Sequence, residues 1–224
     1  MCGRFVGFRP LEELRDHFPI DVADVNVTEN FNVAPTQEIL AIVRHSGQNH
    51  LQQLKWGLVP SWSKDVSIGS RLINARSETA ASKPSFRGAF KKRRCLILAD
   101  GFYEWKGDKG KKQPMFLTLP DGNPFAFAGL WEIWDSQGEE ETPYRSCTIL
   151  TREAGESVRP IHHRMPVILK PEAYEDWLNP QNQDINLLQD IIQSKIYTEL
   201  ASVPVSKQVS SVRNNSRDNI LQAE

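Results

Sequence analysis

Cys2 directly follows the initiating Met1. Aminopeptidases generally remove Met1 when the next residue is small. Processing of that kind leaves Cys2 with an α-amine and a thiol on neighbouring carbons. The amine, with a reference pKa of about 7.7–8.0, is partly neutral at pH 7 and can attack an aldehyde to form an imine. The thiol can then add to the imine carbon and close a five-membered thiazolidine. That second step is intramolecular and escapes much of the entropic cost. An internal cysteine or a lysine has no such step. Imine formation expels water and needs a proton donor, which a carboxyl or an imidazole of suitable pKa supplies. Glu104 in ADGFYEWK and His162 and His163 in IHHRMP are candidates. Asn74, Arg76 and Glu78 in INARSET, with Arg4 and Arg164, add amide, guanidinium and carboxylate groups suited to a sugar-phosphate. No spacing here is diagnostic alone. A position-2 cysteine by chance, a hydrogen-bonded core histidine or a strand-end glutamate would read the same.

Composition limits the alternatives. The 224 residues carry 27 Lys+Arg against 28 Asp+Glu, a net charge of -1, which argues against bulk electrostatic binding to nucleic acid but leaves room for a local basic groove. Two basic runs stand out, Lys91–Arg94 and the lysines 106, 109, 111 and 112. The bland reading of each is a solvated face, and the second has the look of a hairpin tip. Three cysteines provide no disulfide framework, and Cys95 and Cys147 lie on apolar runs as small core residues. The five histidines and three cysteines lack metal-ligand spacing, and no glycine loop suited to a phosphate is present, so neither metal nor cofactor is expected. With no apolar run able to span a bilayer and no signal-peptide core, a cytoplasmic protein is expected.

The positioning elements read as mostly β. Residues 10–18 suggest a short helix with Pro10 at its start. Residues 38–43 and 51–60 read as strands around a turn at Ser46-Gly47. A short helix is expected within 78–92. Strands follow at 94–106, 113–119, 124–134, 144–151 and 165–170. A helix starts at Pro171, and another over 185–200 carries Ile185, Leu188, Ile192 and Ile196 at helical spacing. The expectation is a single α+β domain over 1–224, with a mainly antiparallel, barrel-like β core and peripheral helices.

The motifs MCGRF, FNVAPTQ (31–37), WGLVPSW (56–62), INARSET (73–79), RCLILADGFYEWK, IHHRMPVIL (161–169) and PVSKQVSSVRN (204–214) occur in one order along the whole chain. In that order the chain resembles the SOS response-associated peptidase (SRAP) family of abasic-site processing proteins. The resemblance implies that Cys2 is the nucleophile that bonds to a ring-opened abasic site in single-stranded DNA. It implies that Asn74 lies near the opened sugar and that Glu104 and His162 transfer protons. Arg76 and Arg164 match arginines that contact the DNA backbone. Gly3 and Arg4 adjoin the nucleophile, and Pro35 and Trp56 fall in motifs that line the DNA groove. Trp56, Trp62 and Phe102 are candidates for stacking on bases, with core packing as the alternative. His163 stands where the family often has an acidic residue. The implied protein is a monomer, DNA-associated and free of metal. Two other readings stay open: a cysteine peptidase, at least toward its own Met1, and a non-covalent single-strand DNA binder.

Overall fold

All six residues of Arg94–Ala99 are buried, so this strand is covered on both faces. The computed structural model, which describes residues 2–108, 110–135 and 143–223, supplies the cover. Its strands are β1 (Phe5–Gly7), β2 (Val22–Ala23), β3 (Asn30–Val33), β4 (Glu38–His45), β5 (Gln48–Trp56), β6 (Asn74–Arg76), β7 (Arg94–Ala99), β8 (Gly101–Lys106), β9 (Gln113–Thr118), β10 (Phe125–Trp134), β11 (Tyr144–Glu153), β12 (Arg164–Pro166), β13 (Ile168–Leu169) and β14 (Ala201–Pro204). Its helices are α1 (Leu11–His17), α2 (Ser77–Ala80), α3 (Arg87–Lys92), α4 (Tyr174–Leu178) and α5 (Ile185–Ser194).

In the larger sheet, β11, β10, β7, β4 and β5 pair antiparallel in that order. A parallel pairing of β5 with β11, Lys55 opposite Ser146 and Trp56 opposite Cys147, closes these five strands into a ring. Strand alternation then sorts the side chains. Ile39, Ala41, Val43, Cys95, Ile97, Phe125, Phe127, Cys147 and Ile149 fill the interior. Ile42, Leu96, Leu98, Ala126 and Ala128 point outward against Leu14, Phe90, Trp177, Leu188 and Ile191 of the helices. Cys95 and Cys147 are free and buried, as their apolar surroundings suggested. The smaller sheet runs β14-β9-β8-β1-β3. One of its faces sends Phe5, Phe102 and Leu117 into the same interior. The C-terminal segment covers the other face, where Val205 and Val209 pack on Val6, Tyr103 and Phe116. The fold is α+β with a mainly antiparallel, ringed core. Among the described residues no helix is long and apolar enough to cross a membrane.

Several boundaries differ from the sequence reading; the strand expected over 51–60, for one, ends at Trp56. Residues 94–106 form two strands, one in each sheet, and the chain turns between them at Asp100. The Asp100 carboxylate accepts from the backbone N–H groups of Phe8 and Arg9 and from Arg9 Nε, which pins the corner. Gly101 follows because a Cβ there would lie 2.4 Å from the Phe116 ring. The helix expected within 78–92 is two short ones, with Pro84 between them. Residues 165–170 divide into β12 and β13. The helix expected over 185–200 stops at Ser194, and Ile196 instead bridges to Leu169. The hairpin at Ser46-Gly47 is present, with both residues at positive φ. The second lysine run begins at Lys106, the last residue of β8, and continues into the β8–β9 connection, where Lys109 lies outside the described residues. The first run is not a solvated face throughout, because Arg94 is 2% exposed.

Gly57, directly after β5, has φ +135°, and a Cβ there would meet the Gly69 carbonyl oxygen at 2.6 Å. Both the torsion and the backbone contact oppose a side chain. Gly57→Ala is expected to cost about 2 kcal/mol or more, read as a lowered denaturant midpoint. An unchanged midpoint would mean that the WGLVP turn relaxes freely.

Candidate active site

Cys2 enters the fold just before β1, which lies between β3 and β8. Its side chain is wholly buried. Asn74 Nδ2 donates to the Cys2 carbonyl at 2.7 Å. Asn74 opens β6, which lies parallel to β11 with Asn74 opposite Ile149, so the ring itself fixes the amide. Asn74 Oδ1 is buried and has no hydrogen-bond partner among the described residues, leaving an acceptor beside Cys2. Cys2 Sγ lies 3.9 Å from the Arg4 carbonyl.

Glu104 is on β8, 4% exposed, two residues from Phe102 and therefore on the interior-facing side of the strand. Burial pushes the Cys2 thiol well above its usual pKa, and the nearby Glu104 carboxylate pushes it further in the same direction. His162 comes from the loop between β11 and β12. Burial lowers its pKa, and Glu104 opposes that shift. This ring therefore resists protonation more than a free histidine does. His162 Nδ1 lies 3.0 Å from both the backbone N–H and the carbonyl oxygen of Arg164, so the Arg164 backbone holds the ring in either tautomer. His163 stacks on His162 with centroids 4.4 Å apart. Three separate segments thus bring a thiol, a carboxyl and an imidazole within electrostatic reach of one another, with the amide of Asn74 beside them. That set can hold an N-terminal backbone in place and pass protons to and from a bound carbonyl group.

The remaining candidates divide. Arg76 is exposed, on the same face of β6 as Asn74. Gly3 and Pro35 are half-buried. Trp56 is fully buried: its indole donates to the Ile73 carbonyl at 2.9 Å and its ring meets Phe5 edge-on. Stacking on a base is therefore closed to Trp56, and likewise to the buried Phe102. Trp56 supports the site by fixing the residue before Asn74. Trp62, 59% exposed, keeps the stacking role open. Arg4 is spent on Asn32 Oδ1 and on the carbonyls of Val209 and Ser210. Arg164 forks onto Glu78, with distances of 2.6 and 2.9 Å, and donates to the Thr151 carbonyl. Its guanidinium is engaged, and its backbone holds His162. No group of three metal-ligating side chains occurs among the described residues.

The sequence profile of the SOS response associated peptidases, SRAP, matches residues 1–212. The chain belongs to the SRAP family. Among its SRAP relatives, the abasic site processing protein YoqW of Bacillus subtilis is 44% identical over 219 residues, covering 96% of this chain and 97% of YoqW. The abasic site processing protein YedK of Escherichia coli is 30% identical over 234 residues, covering 97% and 98%. A crystal structure of a protein from Bacteroides thetaiotaomicron superposes with a TM-score of 0.85 at 22% identity, covering both chains completely, which shows a shared fold.

One residue of this SRAP site escaped the sequence reading. Asn32 is an amide in the otherwise apolar end of β3, yet it is buried and tied to Arg4. A polar residue among apolar strand neighbours was the available signal. The Arg164 fork also carries a prediction. Glu78→Gln is expected to loosen it and slow any His162-dependent step about 3–10-fold, with DNA affinity within twofold, since the main loss is positioning. Pre-steady-state rates and binding titrations separate the two. A clear gain in DNA affinity would instead mark Arg164 as a phosphate ligand that Glu78 masks.

Proposed function

We propose that this chain processes abasic sites in DNA by forming a thiazolidine between Cys2 and the ring-opened sugar in single-stranded DNA, once Met1 has been removed. The observation that carries this reading is the Asn74 hydrogen bond to the Cys2 carbonyl. It fixes the residue whose amine and thiol must both reach one carbon. The amine attacks the C1′ aldehyde, and the resulting hydroxyl takes a proton and leaves as water. The thiol then adds to C1′, and its proton passes to the imine nitrogen. Glu104 and His162 move these protons. A raised thiol pKa suits this sequence, because the sulfur keeps its proton until there is a nitrogen to receive it. The names of YoqW and YedK, abasic site processing proteins, support the substrate class.

Exposed Arg76 contributes phosphate contacts without sequence readout, and Trp62 offers a ring to a neighbouring base. Gly3 and Pro35 border the path of the strand, and the protein acts as a monomer. A general cysteine peptidase is the less favoured reading. It needs a thiolate, whereas burial and Glu104 both oppose one at Cys2.

The test is a denaturing gel of mass-verified, Met1-free protein with single-stranded DNA bearing one abasic site, beside Cys2→Ala. A heat-stable shifted band that requires both the abasic site and Cys2 is expected. No band from the wild-type protein would sink the reading, and binding indifferent to the lesion would leave a simple DNA binder.

A further inference from the structure

We infer that Asn32 is a positioning residue for the Cys2 nucleophile, acting through Arg4 and the C-terminal strap that follows β14; this inference rests on the covalent reading above. Asn32 sits near the end of β3, 1% exposed. Its Oδ1 accepts from Arg4 Nη1 at 2.7 Å. Its Nδ2 reaches the carbonyls of Val209, Ser211 and Asn214 at 3.1, 2.9 and 2.7 Å. Arg4 donates to two carbonyls of the same strap, those of Val209 and Ser210, at 2.8 and 3.2 Å. A single amide therefore locks a guanidinium and a strap onto each other.

This lock is tied to the segments that carry the reacting groups. Arg4 is two residues from Cys2, and its carbonyl accepts from the Tyr103 N–H at 3.0 Å and faces Cys2 Sγ. Tyr103 and Trp105 flank Glu104 on β8. The Tyr103 hydroxyl bonds to the Phe31 carbonyl at 2.8 Å and reaches the strap's Asn219 carbonyl at 3.4 Å. The Trp105 indole donates to Ser210 Oγ at 3.3 Å. The strap thus holds the backbones on which both the nucleophile and the acid are carried. Arg4, a cation beside the nucleophile and suited to a phosphate, is used here on backbone oxygens of a segment distant in sequence. Ring closure by the thiol depends on the sulfur standing over the imine carbon, and a misplacement of about 1 Å costs on the order of a hundredfold in rate. Asn32 limits that misplacement without touching the substrate.

The test uses two Met1-free variants, Asn32→Ala and Arg4→Lys. Lysine keeps the charge but cannot reproduce the fork. Adduct formation is followed at saturating abasic single-stranded DNA and across a DNA titration. Thiazolidine formation with glycolaldehyde, which makes no phosphate contact, is followed by intact mass. Each variant is expected to lose about tenfold in rate at saturation, with the half-saturating DNA concentration within twofold. The glycolaldehyde reaction is expected to slow in parallel. The double variant is expected to fall no further than the slower single, as residues acting as one unit do. If Asn32→Ala does not fold, Arg4→Lys alone decides between the outcomes. Unchanged rates, or a raised half-saturating concentration with an unchanged rate, would overturn the inference while leaving wild-type capture intact. Absence of any wild-type adduct would instead remove the functional reading on which it stands.

Discussion

If Cys2 captures the abasic site as proposed, Cys2→Ser is expected to turn capture into strand cleavage. Serine at position 2 still permits Met1 removal and still presents an α-amine, so the imine forms. Its hydroxyl is a poor nucleophile toward the imine carbon and gives a readily reversed oxygen ring, so the imine persists. An imine at C1′ acidifies the C2′ protons, and β-elimination then breaks the strand. The heat-stable adduct should fall by more than about a hundredfold, which corresponds to about 2.7 kcal/mol of lost stabilisation. Borohydride should trap the open imine, and strand scission should rise above the wild-type level. Gel electrophoresis of the labelled DNA reads all three. A serine adduct as heat-stable as wild type would refute the sulfur ring, because nothing else in the scheme distinguishes oxygen from sulfur.

Arg94→Met is expected to be among the most destabilising single changes in the molecule. The Arg94 guanidinium has five N–H groups, and its nitrogens meet five backbone carbonyls. Nε donates to Trp177 at 2.7 Å, and Nη1 to Phe90 and Lys91 at 2.9 and 2.5 Å. Nη2 donates to Asn179 and, at 2.9 Å, to Asn182. These oxygens belong to the C-terminal ends of α3 and α4 and the turn beyond, where helices leave carbonyls unpaired and the dipole favours a cation. Burial lowers the Arg94 pKa to about 10, and the group remains charged at neutral pH. Methionine fills similar space but orphans the carbonyls. The expected cost is about 3–5 kcal/mol, the range for removing one side of a buried charged network. Arg94→Lys, with three donors and no fork, is expected to recover only part of it. Urea denaturation measures both. A loss below about 1 kcal/mol would mean that water replaces the guanidinium at both helix ends.

Arg94 also shows why part of the fold was hidden in the sequence. Within KKRR it is indistinguishable from its exposed neighbours Lys91 and Lys92, because three of its five partners are main-chain oxygens 83 to 88 residues away. The Asp100 corner was hidden for the same reason: its donors come from Phe8 and Arg9, and no local pattern marks 94–106 as serving two sheets. By contrast, the Ser46-Gly47 hairpin is governed by local torsions and was readable. Ile196 continued the helical period of α5 but is claimed by a bridge to Leu169, a case of tertiary pairing overriding periodicity. For the site, chemistry alone singled out Cys2. Asn74, Glu104 and His162 were ranked above other polar residues by their motifs, and their spacing along the chain said nothing of their convergence. The family resemblance placed Trp56 in a groove-lining motif, but a motif does not distinguish a buried indole from an exposed one.

The parallel seam between β5 and β11 has a consequence for the order in which the molecule is assembled. It joins residues 55 and 56 to 146 and 147, and β6, which carries Asn74, docks on β11. Contacts of such long sequence separation form late, because a large loop must close before they return any stabilisation. Cys2 therefore precedes by 72 residues the amide that holds its carbonyl, and that amide is fixed only after the tenth and eleventh strands exist. On the reading proposed above, a partly folded chain carries its nucleophile without the amide that positions it, and gains that positioning only with the final closure of the ring.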